Sequence, residues 1–279
     1  MAFGIGRRGG VAVVEIHGVI GQRIRVPVYE RLFDAIARSR RYRALLLDID
    51  SPGGSASGSE LLYHSIKKVA ERKPVVAYVR GVGASGGYYL CCAASSVIAL
   101  PTALVGSIGV IYLRPILEQL LGKVGVEFSV FKGGRLKDMG GFWRSPTMEE
   151  GEKFQGLINE IYDNFVSVVA QGRSLEEAQV RELATGEVVT ARRGKELGLV
   201  DEMGDFDQAL EVAARLAGAR PRPLWVRPRR PLGQQLLGRL VSRDSNLPLV
   251  VASLLPLLAG GICYLEPAFL VGDYLDEAG

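Results

Sequence analysis

The sequence predicts an α/β fold with helices layered on a largely parallel sheet. Two observations carry this. Short apolar runs alternate along the chain with longer segments whose apolar residues recur at helical spacing. The 279 residues, 48% of them hydrophobic, are enough to bury one large domain, with or without an appendage.

Taken in order, "VAVVEI" (11–16) reads as a buried strand and "RVPVYERLFDAIARSRR" as a helix. "ALLLDID" (44–50) is a second strand, ended by the turn "SPGG". "SGSELLYHSIKKVAERK" is an amphipathic helix with basic residues towards its C-terminal end, and "PVVAYV" (74–79) is a third strand. "SVIAL" and "GSIGVI" follow as shorter strands, and "VEFSVF" (126–131) as one more before a glycine- and lysine-rich loop. Helical patterns return at 148–171, in "SLEEAQVRELA" and in "DFDQALEVAARLAG". Beyond Gly218 the character changes. Residues 219–245 are rich in Pro and Arg and read as an extended linker, and 246–279 hold an apolar segment of unassigned role.

Composition narrows the function classes. The net charge of +4 is local, because seven arginines and no acidic residue lie between Arg220 and Arg243. Such a tail is a weak argument for nucleic acid, and none is expected as a partner. Three cysteines, two of them adjacent (Cys91 and Cys92), form neither a disulfide framework nor a metal-ligand spacing. The N-terminal residues lack an apolar core suited to a signal peptide or anchor, so the expected location is cytoplasmic or membrane-associated. The uncharged stretch 246–265 is long enough to span a bilayer with arginines on its cytoplasmic side. Pro248, Pro256 and the Gly260–Gly261 pair argue instead for a packed or inter-subunit segment.

The stretch "RGVGASGGYYLCCAAS" (80–95) places Ser85 among Gly81, Gly83, Gly86 and Gly87, between a strand and a helical run. A nucleophilic serine needs such a sharp, uncrowded turn so that a carbonyl can approach. A plain glycine turn packing a strand onto a helix would need the same small residues. "DIDSPGGS" (48–55) offers backbone N–H groups in a second tight turn, and one of these with the N–H of Gly86 would make a two-donor oxyanion hole. The serine also needs a base. The two histidines, His17 at the end of the first strand and His64 within a helix, have no acid arranged with them as a triad. A lysine then remains, Lys132 or Lys137, provided its ammonium is destabilised.

These motifs resemble the signal peptide peptidase A (SppA) family of serine proteases. The resemblance lies in "DIDSPGG", "GVGASGGYYLCCAASSVIALPTALVGSIGVI", "GGRLKDMGGFWRSPTMEE" and "ATGEVVTARRGKELGLVDEMGDFDQAL", in that order between Val11 and Gly218. It implies a Clp protease/crotonase-like spiral domain over 1–218 and a Ser–Lys dyad. Ser85 is then the nucleophile and Lys137 the base, with Lys132 as the fallback. Gly54, or Gly53, and Gly86 become the oxyanion donors, and no metal, nucleotide or other cofactor is implied. The implied substrates are extended hydrophobic peptides such as signal-peptide remnants, cleaved by homo-oligomers whose sites are shared between subunits. Two other readings use the same fold: a crotonase-type acyl-CoA hydratase or isomerase, and a catalytically silent scaffold for hydrophobic segments. The former usually needs pocket carboxylates, for which only Asp48 and Asp50 are at hand.

Overall fold

The computed structural model describes residues 9–228 and, as backbone, residues 261–265. The first half is built from strands β1 (Gly10–His17), β2 (Tyr42–Ser51), β3 (Gly53–Ser55) and β4 (Val75–Ala84) with helices α1 (Val26–Arg38) and α2 (Ala56–Ala70) between them. Helix α3 (Gly86–Cys91) and the short strands β5 (Ser96–Ala99), β6 (Leu104–Gly106) and β7 (Ile111–Leu113) follow. Next come α4 (Glu118–Lys123), α5 (Met148–Arg173), α6 (Glu177–Leu183), β8 (Val188–Thr190), α7 (Ala191–Glu196), β9 (Glu202–Met203), α8 (Phe206–Leu216), β10 (Pro223–Trp225) and β11 (Gly261–Leu265).

The main sheet runs β10-β1-β2-β4-β5-β9, every neighbour parallel. β6 continues alongside the far end of β4 and pairs antiparallel with β8. A second sheet has the order β3-β11-β7. Strand alternation divides the core into two layers. Leu45, Leu47 and Ile49 of β2 join Phe33 of α1, Leu62 and Ile66 of α2, Tyr88 and Tyr89 of α3 and Phe165 of α5 on one face. Ala44 and Leu46 meet Ala209, Leu210 and Ala213 of α8 on the other. Each fully buried Leu, Ile or Phe here contributes roughly 1.5–3 kcal/mol, so the two layers dominate the stability of the domain.

Several sequence expectations change. Residues 126–131 are not a strand: they have no strand partner and are exposed. Their apolar side chains serve a different contact, in which Phe128 stacks on Trp143 at 5.4 Å and meets Phe142 edge-on at 5.6 Å. "GSIGVI" is not one strand either. β6 ends at Gly106, Ser107 turns the chain with φ +50°, and β7 starts only at Ile111. Part of the stretch read as a linker, Pro223–Trp225, is the edge strand β10, with its register set by Val11↔Pro223 and Val13↔Trp225. Among the described residues no helix is long and apolar enough to cross a membrane. Most of 246–279 lies outside the described residues, and its described part, 261–265, is strand.

Candidate active site

Ser85 stands between the last residue of β4 and the first of α3, with φ +53° and ψ −119°. These are the dihedrals of the first central residue of a type II′ turn, a glycine position, and a serine held there stores about 1–3 kcal/mol of strain. The surroundings over-determine it. Its N–H donates to the Gly106 carbonyl at 2.7 Å and its carbonyl accepts from the Tyr89 N–H at 2.9 Å. Behind it α3 is anchored: Tyr88 Oη donates to the Leu199 carbonyl at 2.8 Å, and the Tyr89 ring packs on Tyr63 and Phe165. Burial pushes both thiols behind it upward, Cys92 to about 12 and Cys91 further still. They stay protonated and donate to the Gly87 and Tyr88 carbonyls.

The second turn lies directly against this one. A Cβ on Gly87 would stand 2.5 Å from the Ser51 carbonyl oxygen, so only glycine lets the two turns approach so closely. Sequence reasoning treated Ser51 merely as part of a turn. Its hydroxyl in fact donates to the Gly18 carbonyl at 2.7 Å and accepts from the Gly53 N–H at 3.2 Å. That engages one of the two glycine N–H groups proposed as oxyanion donors. The Gly53 carbonyl accepts from Ile20 N–H, and the Ser55 N–H donates to the Ile20 carbonyl. By strand alternation the Gly54 N–H points the opposite way, to the side of β3 on which Tyr264 of β11 stands opposite it. Gly54 has no room for a side chain, since its Cβ would fall 2.1 Å from the Ile20 carbonyl oxygen. Gly86 opens α3, so its N–H has no carbonyl within the helix to bind.

The lysines lie elsewhere. Lys132 and Lys137 are both exposed, on the arm between β7 and α5. Lys132 pairs with Asp138, which also binds Arg144 at 3.0 Å. Hydrogen bonds from Lys132 and then Arg144 hold the Asp138 carboxyl below its ordinary range, against a smaller cost of desolvation. Arg144 in turn binds the buried Glu150 at 2.8 Å. That contact, with the Thr147 N–H, pushes the Glu150 carboxyl down to about 2. Among the described residues no hydrogen bond joins Lys137 to Ser85. The chain folds the Ser85 turn and the Ser51–Gly54 turn together, and Lys137 is exposed with no hydrogen bond to either among the described residues.

The histidines need one correction. His17 does have an acid nearby: its Nε2 lies 3.5 Å from Asp48 Oδ2. Asp48 is fully buried, which alone would raise its carboxyl, but the nearby His17 and two hydrogen bonds from Arg80 bring it below its ordinary range. This pair cannot serve Ser85. Ile16, Leu47 and Ile49 face the α3 side of the sheet, so His17 and Asp48 point to the α8 side. His64 lies on the surface, 3.8 Å from Glu60 one helical turn away and edge-on to the Tyr63 ring.

Residues 67–220 match the model of Peptidase family S49. The chain belongs to that family. A putative protease of Synechocystis is 40% identical over 219 residues, 78% of each chain. The chloroplastic serine protease SPPA of Arabidopsis thaliana is 33% identical over 214 residues, 75% of this chain but only 32% of that protein. A solved structure, a lysine-to-alanine mutant of the 1510-N membrane-bound stomatin-specific protease in complex with a substrate peptide, superposes with a TM-score of 0.52 at 17% identity. It covers 85% of this chain and 99% of that one. The S49 chain thus has the α/β fold of SppA-type proteases, and by its family it is a serine-type protease.

Proposed function

We propose that this S49 chain is an endopeptidase in which Ser85 attacks the scissile carbonyl and Lys137, uncharged when it acts, takes the hydroxyl proton. The N–H groups of Gly54 and Gly86 hold the developing oxyanion, a contribution of several kcal/mol for such a pair of donors. The observation that carries this is the strained Ser85 turn locked against the Ser51–Gly54 turn through Gly87. A strained serine flanked by glycine backbone N–H groups is the arrangement a nucleophile requires.

A lysine works as a base only when burial disfavours its charged form, and an exposed Lys137 lacks that burial within one chain. The arm that bears it carries Val124, Val126, Phe128, Val130 and, at 95% exposure, Phe131. So much apolar surface on one segment favours packing against another copy. The site is therefore completed by a neighbouring subunit, whose arm brings its lysine to Ser85. Extended hydrophobic peptides, such as signal-peptide remnants, are the substrates. The acyl-CoA reading loses its carboxylates: Asp48 is tied to Arg80 and His17, and Asp50 accepts from the Val82 N–H at 2.9 Å.

The test is cleavage of a hydrophobic peptide by wild type, Ser85→Ala and Lys137→Ala, each alone and then mixed. Both single variants should be inactive, and the mixture should regain activity through sites that pair an intact serine with an intact lysine. Full activity of Lys137→Ala would remove the dyad while leaving the family assignment untouched. A rate rising towards alkaline pH is the accompanying signature of a lysine base.

A further inference from the structure

Strand β4 reaches Ser85 by an irregular path. Its register on β2 is regular from Leu45↔Val75 to Ile49↔Val79 and resumes at Ser51↔Gly83. One residue of β2, Asp50, therefore faces three of β4, Arg80, Gly81 and Val82, in an enlarged bulge. The strand is shortened there. A Cβ on Gly83 would stand 2.9 Å from both Val79 Cγ atoms, although residues four apart in a straight strand are about 13 Å apart.

The bulge decides where the nucleophile stands. Had the register of Ile49↔Val79 continued, Gly81 would face Ser51, and Ser85 would lie two residues, roughly 7 Å, farther along. With the bulge, Gly83 faces Ser51, residues 82–84 pair with β6, and the Ser85 N–H reaches the Gly106 carbonyl. Gly87 then meets the Ser51 carbonyl. Bulges beside active sites re-aim side chains in this way.

Two carboxylates of β2 hold it. Asp48, fully buried, takes Arg80 with both oxygens, from Nε to Oδ1 at 3.1 Å and from Nη2 to Oδ2 at 2.7 Å. Asp50 Oδ1 accepts the Val82 N–H at 2.9 Å. The same oxygen lies against Gly81, where an added Cβ would stand 2.8 Å from it. The Asp50 main chain is fixed as well: its carbonyl accepts from the Gly18 N–H at 2.8 Å, and the Gly18 carbonyl accepts the Ser51 hydroxyl. Asp48 thus tethers the start of the bulge and Asp50 its end, three residues before Ser85.

We infer that Asp50 is a positioning residue for the nucleophile: its carboxylate, bound to the Val82 N–H, sets the bulge in β4 that brings Ser85 alongside the turn at 51–54. This rests on the proteolytic reading above and adds a residue to that site. Asp50 acts through the main chain of β4 and not on the reacting atoms. A hydroxyl displaced by about 1 Å loses roughly 100-fold in rate, so a small change in the bulge is read in kcat.

The test uses full-length Asp50→Ala, Asp50→Asn, Gly81→Ala and the double variant Asp50→Ala/Gly81→Ala. Both kcat and KM are measured on a hydrophobic peptide, and amide exchange of residues 80–85 is followed by mass spectrometry. Asp50→Ala removes the acceptor and should lower kcat about 10–100-fold, leave KM within about twofold, and speed exchange in 80–85. Asp50→Asn keeps an Oδ1 acceptor without the charge and should hold kcat within about threefold of wild type. Gly81→Ala drives a methyl group against Oδ1 and should lower kcat at unchanged KM. Both changes act through one contact, so the double variant should be no slower than the slower single variant. Wild-type kcat in Asp50→Ala, an Asp50→Asn as slow as Asp50→Ala, a loss carried by KM alone, or multiplying effects in the double variant would each overturn the inference. Should Asp50→Ala not fold, Gly81→Ala and Asp50→Asn decide by the same readouts. If wild type cleaves and Asp50→Ala cleaves equally fast, the positioning role fails and the protease reading stands. If wild type cleaves no peptide, the protease reading fails. Exchange in 80–85 then decides the bulge: fast in Asp50→Ala and slow in Asp50→Asn supports it, and equal exchange in the two overturns it.

Discussion

The Ser85 turn and the arm that carries Lys137 contrast in how each is held. Around Ser85 the packing is dense: α3 has no exposed residue, β4 and β2 lie beneath it, and backbone hydrogen bonds to Gly106 and from Tyr89 fix the turn at both ends. Between β7 and α5 most side chains are half-buried or exposed, and the order comes from charge and aromatic contacts instead. These are the Asp138–Arg144–Glu150 chain and the stacked Phe128 and Trp143. On the mechanism proposed above, the strained nucleophile needs the dense environment, whereas a base delivered to another copy needs a segment free of its own core.

Breaking the first region should have the largest effect. Ser85→Ala is expected to lower kcat by roughly 10^3-fold or more, as loss of a serine nucleophile does, without lowering Tm. Gly87→Ala drives a methyl group into the Ser51 carbonyl and should cost activity and stability together, about 1–3 kcal/mol of unfolding free energy, measured by denaturant melts. In the second region the two readouts should separate. Lys137→Ala should abolish cleavage with an unchanged Tm, because the side chain is exposed, whereas Lys132→Ala should retain most activity. If Lys132→Ala were the dead variant, the base would have to be reassigned.

Smaller effects test what supports the arm. Thr147→Ala removes half of the capping box that starts α5 and should cost about 1 kcal/mol. The Glu150 carboxyl titrates lower in the folded protein than in the unfolded chain. The stability it contributes is therefore present in full above its ordinary value near 4.5 and is lost as the pH falls from there through about 2. Glu150→Gln should flatten that part of a stability–pH curve and leave the curve above pH 6 parallel to wild type.

Legibility in the sequence followed the kind of contact. The strand preceding Ser85, the helix after it and the glycines between were readable because local sterics dictate them. Residues 126–131 misled because an alternating apolar pattern signals a strand only when a partner edge exists, and here Phe128 finds aromatic partners far along the chain. The pairing of Gly261–Leu265 with β3 and β7 carried no local signal at all. Neither did His17 beside Asp48, since only the register of β1 on β2 brings these residues together.

The sequence by itself determined the alternation of strands and helices and the glycine-lined serine turn between them. Each depends on residue type and spacing within about a dozen positions. Only the tertiary structure decided that Ser51 engages the Gly53 N–H while Gly54 stands opposite Tyr264 of β11, and that Lys137 is exposed. It alone also showed that the sequence-distant strand β11 pairs with both β3 and β7. The physical reason is that such pairings are set by main-chain hydrogen bonds between remote strands, which are indifferent to side-chain identity and leave no mark on the local pattern.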